Sequence, residues 1–284
     1  MIVTGAFGGI GFALLNWLIQ KGTREFIAIG RKPVTAAINH PHLPDSTTIE
    51  TFIERQKTAG VVIHYLQTDM GRPDDFTKAF ITFREWITSP VVGVFHLGGV
   101  TTESITLENM NENKLLDTLA PKFYGAYVLH RLTRDDPVKY FCLFSSISAT
   151  EGMQGNGLSA YAAANASLTG LAQLRVQQNR PVQLIEWTAW SEAGMAIDQG
   201  LDAFCKAVGF EILPTARGLT ILEEILTEDI QSSVIFKVDW KKYFRVVFRA
   251  WAGAVSFPGL SLFNAFPFNG LSIGVSLGEK RLDR

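Results

Sequence analysis

Thr4-Gly5-Ala6-Phe7-Gly8-Gly9-Ile10-Gly11 stands between an apolar Ile2-Val3 and the segment Phe12–Gln20, in which Leu14, Leu15 and Leu18 recur at helical spacing. Strand, glycine turn, helix is the order that decides the fold. Glycine serves such a turn in three ways: it bends tightly, it lets the backbone approach a pyrophosphate, and it lets the helix pack close to the strand. The helix start offers unbonded N–H groups and a positive dipole end to a phosphate. A glycine motif alone is weak evidence. Its place between a strand and a helix favours a dinucleotide-binding turn over a merely structural one. Thr4, Gly5, Phe7, Gly8, Gly9 and Ile10 are the candidate contacts.

Moving outward, Gly22 stops the first helix, and Phe26-Ile27-Ala28-Ile29 reads as a second buried strand, completing one βαβ unit. Pro33 to Ser46 reads as loop. Helices are expected over Ile49–Thr58, Asp74–Ile87 and Tyr161–Gln178, and along Leu107–Leu132 with a break near Pro121. Strands are expected over Val61–Leu66, Val91–His96, Tyr140–Phe144 and Val182–Trp187, with a last one over Val234–Val238. This alternation predicts an α/β fold, a Rossmann-type doubly wound parallel sheet, over residues 1–240. Ser191 to Phe210 follows the sixth strand, where Met195, Leu201 and Phe204 would line a lid or cover the core as an amphipathic surface helix.

Composition narrows the function classes. Apolar residues make up 47% and charged residues 19% of the 284, enough for a core and too apolar for disorder. A net charge of -1 gives no basic field for nucleic acid. Cys142 and Cys205 lie far apart in apolar surroundings, as buried thiols of a reducing compartment do. No secretory pattern opens the chain, so a cytoplasmic setting is expected. Residues 241–284 form an apolar tail, without charge from Ala250 to Gly278. Pro258, Pro267, Asn264 and Asn269 disfavour a membrane span there, and packing on this domain or on a neighbour is the plainer expectation. Only Met1-Ile2-Val3 precede the glycine motif, which is short for a first strand. A piece of a longer polypeptide, or a trimmed strand, is expected.

The second strand ends in Gly30-Arg31-Lys32. An acidic residue there would hold the ribose hydroxyls of NAD; two cations suit a 2′-phosphate, hence NADPH, unless they are ordinary solvated charges. Asp69 with Met70 follows the third strand, placed for adenine or for a plain turn. His96-Leu97-Gly98 ends the fourth, where small residues let a cofactor pass close to the backbone; His96 itself reads as structural before catalytic. Downstream, Phe144-Ser145-Ser146-Ile147-Ser148 precedes Tyr161-Ala162-Ala163-Ala164-Asn165. Tyr161 and Asn165 share one helix face. A phenol beside a hydroxyl suits proton donation to a carbonyl oxygen, given a nearby cation to lower its pKa of about 10.

Thr4, Gly5, Gly9, Gly11 and a serine upstream of a tyrosine resemble the short-chain dehydrogenase/reductase superfamily. Its usual members carry lysine where Asn165 stands. That departure fits an inactive protein, or a subfamily in which lysine and asparagine have exchanged places. Leu119-Ala120-Pro121-Lys122-Phe123-Tyr124-Gly125-Ala126-Tyr127-Val128-Leu129-His130 resembles the lysine-bearing helix of polyketide synthase ketoreductase domains. His96 to Val100, Phe144 to Ala149, Tyr161 to Ala166, and Trp187-Thr188-Ala189-Trp190 with Gly194-Met195 resemble the same family, over about residues 1–240. The resemblance implies reduction of a β-keto group on an acyl carrier protein thioester of polyketide or fatty-acyl type, beside other domains of a synthase. It implies Lys122 as the electrostatic partner, Ser146 on the substrate carbonyl with Ser145 and Ser148 as rivals, Tyr161 as proton donor and Asn165 in the relay. The stretch between Ser146 and Tyr161 is longer than usual near Met153–Asn156. Thr101-Thr102-Glu103 stands where one stereochemical class has its motif, so product configuration is open. The family's upstream structural subdomain is not in this chain. A free-standing reductase of a small ketone and a non-catalytic dinucleotide-binding scaffold are the competing readings.

Overall fold

A computed structural model describes residues 1–246, apart from residues 39, 41–42, 45, 101–104, 151–157 and 192–200. Seven parallel strands form one sheet in the order β3-β2-β1-β4-β5-β6-β7. They are β1 Ile2–Thr4, β2 Glu25–Gly30, β3 Val62–Gln67, β4 Gly93–His96, β5 Tyr140–Ser146, β6 Gln183–Trp187 and β7 Ser232–Ile235. Strand order reverses between β1 and β4, the switch point outside which open α/β sheets bind ligands. The predicted doubly wound sheet is what forms.

The two faces are covered as successive strand residues dictate, because side chains alternate across a strand. Val3, Ala28, Phe95 and Phe144 join Phe12, Leu14, Leu15 and Leu18 of α1 (Gly9–Gln20) and Phe52 of α2 (Ile49–Thr58) on one side. Ile2, Ile27, Ile29, Val94 and Leu143 meet Phe76 and Phe80 of α3 (Pro73–Arg84) on the other. Thr48 starts α2 with a reciprocal capping box to Thr51, and Pro73 with Asp74 and Asp75 starts α3.

The long periodic stretch is α4 (Glu112–Leu119), a π turn (Ala120–Tyr124) and α5 (Gly125–Leu132). Pro121 has no N–H to return to the carbonyl four residues back, so the helix widens where the sequence predicted a break. The helix α6 (Ser159–Gln177) carries Leu168, Leu171 and Ala172 into the second core. Its last turn is tied to α5 by buried Arg175, which donates to Pro181 O and to His130 Nδ1, each at 2.9 Å, and lies 3.7 Å over the Phe141 ring.

Three points differ from expectation. The last strand ends at Ile235, because its partner β6 ends at Trp187; Val238 instead bridges antiparallel to Phe210. A helix over Thr215–Thr227, here α8, was not anticipated; Leu222 and Ile225 seat it on the first core, and Gly218 lies against the Trp190 indole. The helix α7 spans Leu201–Val208. Cys142 is buried as expected, whereas Cys205 is partly exposed. Met195, Gly194, the Met153–Asn156 segment, Thr101–Glu103, the side chains of Leu201 and Phe204, and the tail beyond residue 246 lie outside the described residues.

Candidate active site

The predicted residues lie at or just after the C-terminal ends of β1, β2, β3, β4 and β5, or on the π turn and α6. Gly5 bends the chain after β1 with φ +65° and donates its N–H to Ile29 O at 2.8 Å. A Cβ on Gly11 would fall 2.0 Å from Gly5 O, so only glycine lets α1 approach the turn. Gly8 precedes α1 without a side-chain cap, and no acidic residue occupies the first turn. The helix start thus presents its positive end and backbone N–H groups without a competing side chain, an arrangement suited to a phosphate. Gly8 is exposed and Gly9 and Ile10 half-buried beside it. Phe7 points the other way: it is buried, with ring centroids 6.1 Å from Phe52 and 5.3 Å from Tyr65. It anchors the turn from within the core.

Arg31 and Lys32 are exposed beyond β2. Tyr65 on β3 braces them, its hydroxyl donating to Lys32 O at 2.7 Å. Burial pushes that phenol up to about 12. Nothing in the strand pattern pointed to Tyr65. Asp69 accepts from Gly71 N at 2.9 Å and so spends one oxygen on its own turn, and Met70 is buried beneath.

Thr4 and His96 face each other across the β1–β4 ladder. Thr4 Oγ1 lies 3.0 Å from His96 Nδ1 and accepts from Leu97 N at 3.0 Å and Gly98 N at 2.9 Å. His96 Nε2 meets Lys122 O at 2.8 Å. Both Thr4 and His96 are wholly buried. Burial and the Lys122 charge hold His96 down at about 3, so its ring is neutral. Lys122, on the π turn, is buried too, and its Nζ donates to Phe144 O at 2.9 Å. Burial brings its pKa down to about 8.

On α6, Asn165 Nδ2 donates to Tyr161 O at 2.9 Å, the expected one-turn spacing. The Ser146 and Asn165 side chains both bear on the Tyr161 hydroxyl, each favouring its ionised form. The expected lowering of the phenol is not found. Burial raises Tyr161, and Ser146 and Asn165 only offset part of that, because a buried phenolate loses its hydration. Ser146 also accepts from Ser148 N at 3.2 Å, while Ser145 is turned to Asn165 O at 3.3 Å. Of the three serines, Ser146 is the one that bears on the Tyr161 pKa. Among the described residues, Ser148 Oγ, Asn165 Oδ1 and Thr188 Oγ1 are buried and meet no hydrogen-bond partner. Glu186 was not anticipated: the Thr150 hydroxyl donates to it, and burial raises its carboxyl.

A family model described as KR domain matches residues 1–192. The chain belongs to the KR domain family. The Mycocerosic acid synthase-like polyketide synthase of Mycobacterium tuberculosis is 33% identical over 213 residues, which is 75% of this chain and 9% of that synthase. Mellein synthase of Phaeosphaeria nodorum is 30% identical over 198 residues, 69% of this chain and 11% of the synthase. The KR chain therefore spans a small part of the multidomain relatives it matches. An A-type ketoreductase structure from a modular polyketide synthase superposes with TM-score 0.76 at 25% identity, covering 87% of this chain and 49% of that one. KR domains of the short-chain dehydrogenase/reductase superfamily bind a nicotinamide dinucleotide. This chain's residues fit one: a glycine cradle under a helix start, and Thr188 Oγ1 and Asn165 Oδ1, which among the described residues have no hydrogen-bond partner, at the same end of the sheet. No helix among the described residues is long and apolar enough to cross a membrane.

Proposed function

We propose that this chain carries the catalytic residues of an NADPH-dependent ketoreductase that converts a β-ketoacyl thioester to its β-hydroxy form, the acyl group being presented by an acyl carrier protein of a cytoplasmic multidomain synthase. The joining of α6 to the end of β5, with Asn165 Nδ2 on Tyr161 O, Ser145 Oγ on Asn165 O and the Lys122 amine on Phe144 O, carries the reading. Bound NADPH supplies the hydride. Ser146 and Tyr161 orient the keto oxygen, and Tyr161 Oη gives it a proton as charge develops there. Burial keeps the phenol protonated until that moment. Asn165 steadies the phenol from one helical turn away, and Lys122 supplies positive charge beside β5. Arg31 and Lys32 are the residues that would meet a 2′-phosphate.

The test is oxidation of NADPH and of NADH by the full chain, with a β-ketoacyl thioester and with a small free ketone. Turnover with NADPH and the thioester, weaker with NADH and with the ketone, is expected. Preference for the ketone would support a free-standing reductase, and dinucleotide binding without turnover a scaffold.

A further inference from the structure

The buried bonds around His96 have a definite direction. Lys122 O can only accept, so the proton at His96 lies on Nε2. The ring is neutral, so Nδ1 is an acceptor and takes its hydrogen bond from the Thr4 hydroxyl. Thr4 Oγ1 has two lone pairs left, and the N–H groups of Leu97 and Gly98 fill them. No polar atom of Thr4 or His96 remains for a ligand. The chain of bonds ends on the backbone of the π turn, at the residue whose amine reaches Phe144 O. Lys122 is held at both ends, by His96 at its carbonyl and by β5 at its Nζ. Its stem passes so close to Gly99 that a Cβ there would lie 2.8 Å from Lys122 Cε.

We infer that His96 is a positioning residue: it pins the Lys122 carbonyl in the π turn, Thr4 fixes the tautomer that does so, and the placement of the Lys122 ammonium depends on both. Neither side chain then serves as a cofactor contact, the role the sequence suggested. The catalytic consequence rests on the proposed ketoreductase reading; the placement itself does not.

The experiment uses the full chain with 13C-labelled lysine, the Lys122 resonance being assigned from Lys122→Arg. Its amine is expected to titrate near 8 in the wild type and to move most of the way back toward 10.5 in His96→Leu, as the amine leaves its buried seat. An unmoved resonance in folded His96→Leu would overturn the proposal. His96→Gln keeps both an amide donor and an acceptor, and should hold the wild-type titration; a shifted resonance there counts against us even if the leucine variant does not fold. In turnover, His96→Leu should lose about 100-fold in kcat with unchanged NADPH affinity, and lose nothing further in a Lys122→Ala background. Losses that multiply would show His96 acting apart from Lys122. If the wild type has no ketoreductase turnover, the functional reading fails, and the lysine titration still decides the positioning role.

Discussion

Lys122 Nζ and the carbonyl oxygen of Phe144 are 2.9 Å apart. The contact ties the π turn to β5 two residues before Ser146, so the amine and the serine hydroxyl are fixed from one strand. A buried ammonium is costly unless hydrogen-bonded. Here the cost holds a cation against the end of β5, with its pKa down at about 8. Lys32, by contrast, is an exposed loop cation. Lys122→Ala is therefore expected to lower kcat by about 100-fold or more, whereas Lys32→Ala mainly raises the Kd for NADPH. Steady-state kinetics with fluorescence titration checks the split; equal effects on both parameters in both variants would contradict it.

Tyr161→Phe removes the hydroxyl on which Ser146 and Asn165 bear and leaves the ring's packing in place. Turnover should fall by about 100- to 10,000-fold, with the dinucleotide still bound. Retained activity would remove the central residue of the proposed mechanism.

Tyr65 offers a finer test of coenzyme choice. Its hydroxyl holds Lys32 O at 2.7 Å and so shapes the turn that bears Arg31 and Lys32. One hydrogen bond is worth about 1 kcal/mol. Tyr65→Phe should weaken NADPH binding by about three- to tenfold and leave NADH binding nearly unchanged. A parallel loss for NADH would mean that Tyr65 supports the fold alone.

The histidines make stability fall with acid. His130, facing the Arg175 guanidinium at 2.9 Å with Arg180 and Arg134 nearby, is held down at about 4 by burial and these cations, and His96 at about 3. In the unfolded chain both return to an ordinary 6.5. The unfolded state then binds more protons below that pH, so the stability present above 6.5 is lost as pH falls through 4 toward 3. Urea midpoints at pH 7.5 and about 5 should show the fall, and His130→Gln should flatten it. An unchanged slope in that variant would show that the pair is not the source.

The strand–turn–helix at Thr4–Gly11 was readable because local requirements dictate it: no side chain fits where Gly11 meets Gly5 O. Tyr161 and Asn165 were readable too, because helical spacing alone puts them on one face. The break at Pro121 followed from its missing N–H. The helix Thr215–Thr227 was missed because its burial depends on a groove built by Trp190 and distant strands. The direction of the Tyr161 shift was misjudged for a related reason: desolvation is set by everything packed around the phenol.

By itself, then, the sequence determined what depends on neighbours along the chain: the glycine turn, the alternation of strands and helices, and the residue types on α6 and the π turn. The tertiary structure alone decided that Phe7 faces the core, that Ser146 and not Ser145 bears on the Tyr161 pKa, and that Thr4, His96 and Lys122, up to 118 positions apart, share one line of hydrogen bonds. Those outcomes follow from which strands lie side by side at the β1–β4 switch point, where parallel pairing brings together residues that no local spacing relates.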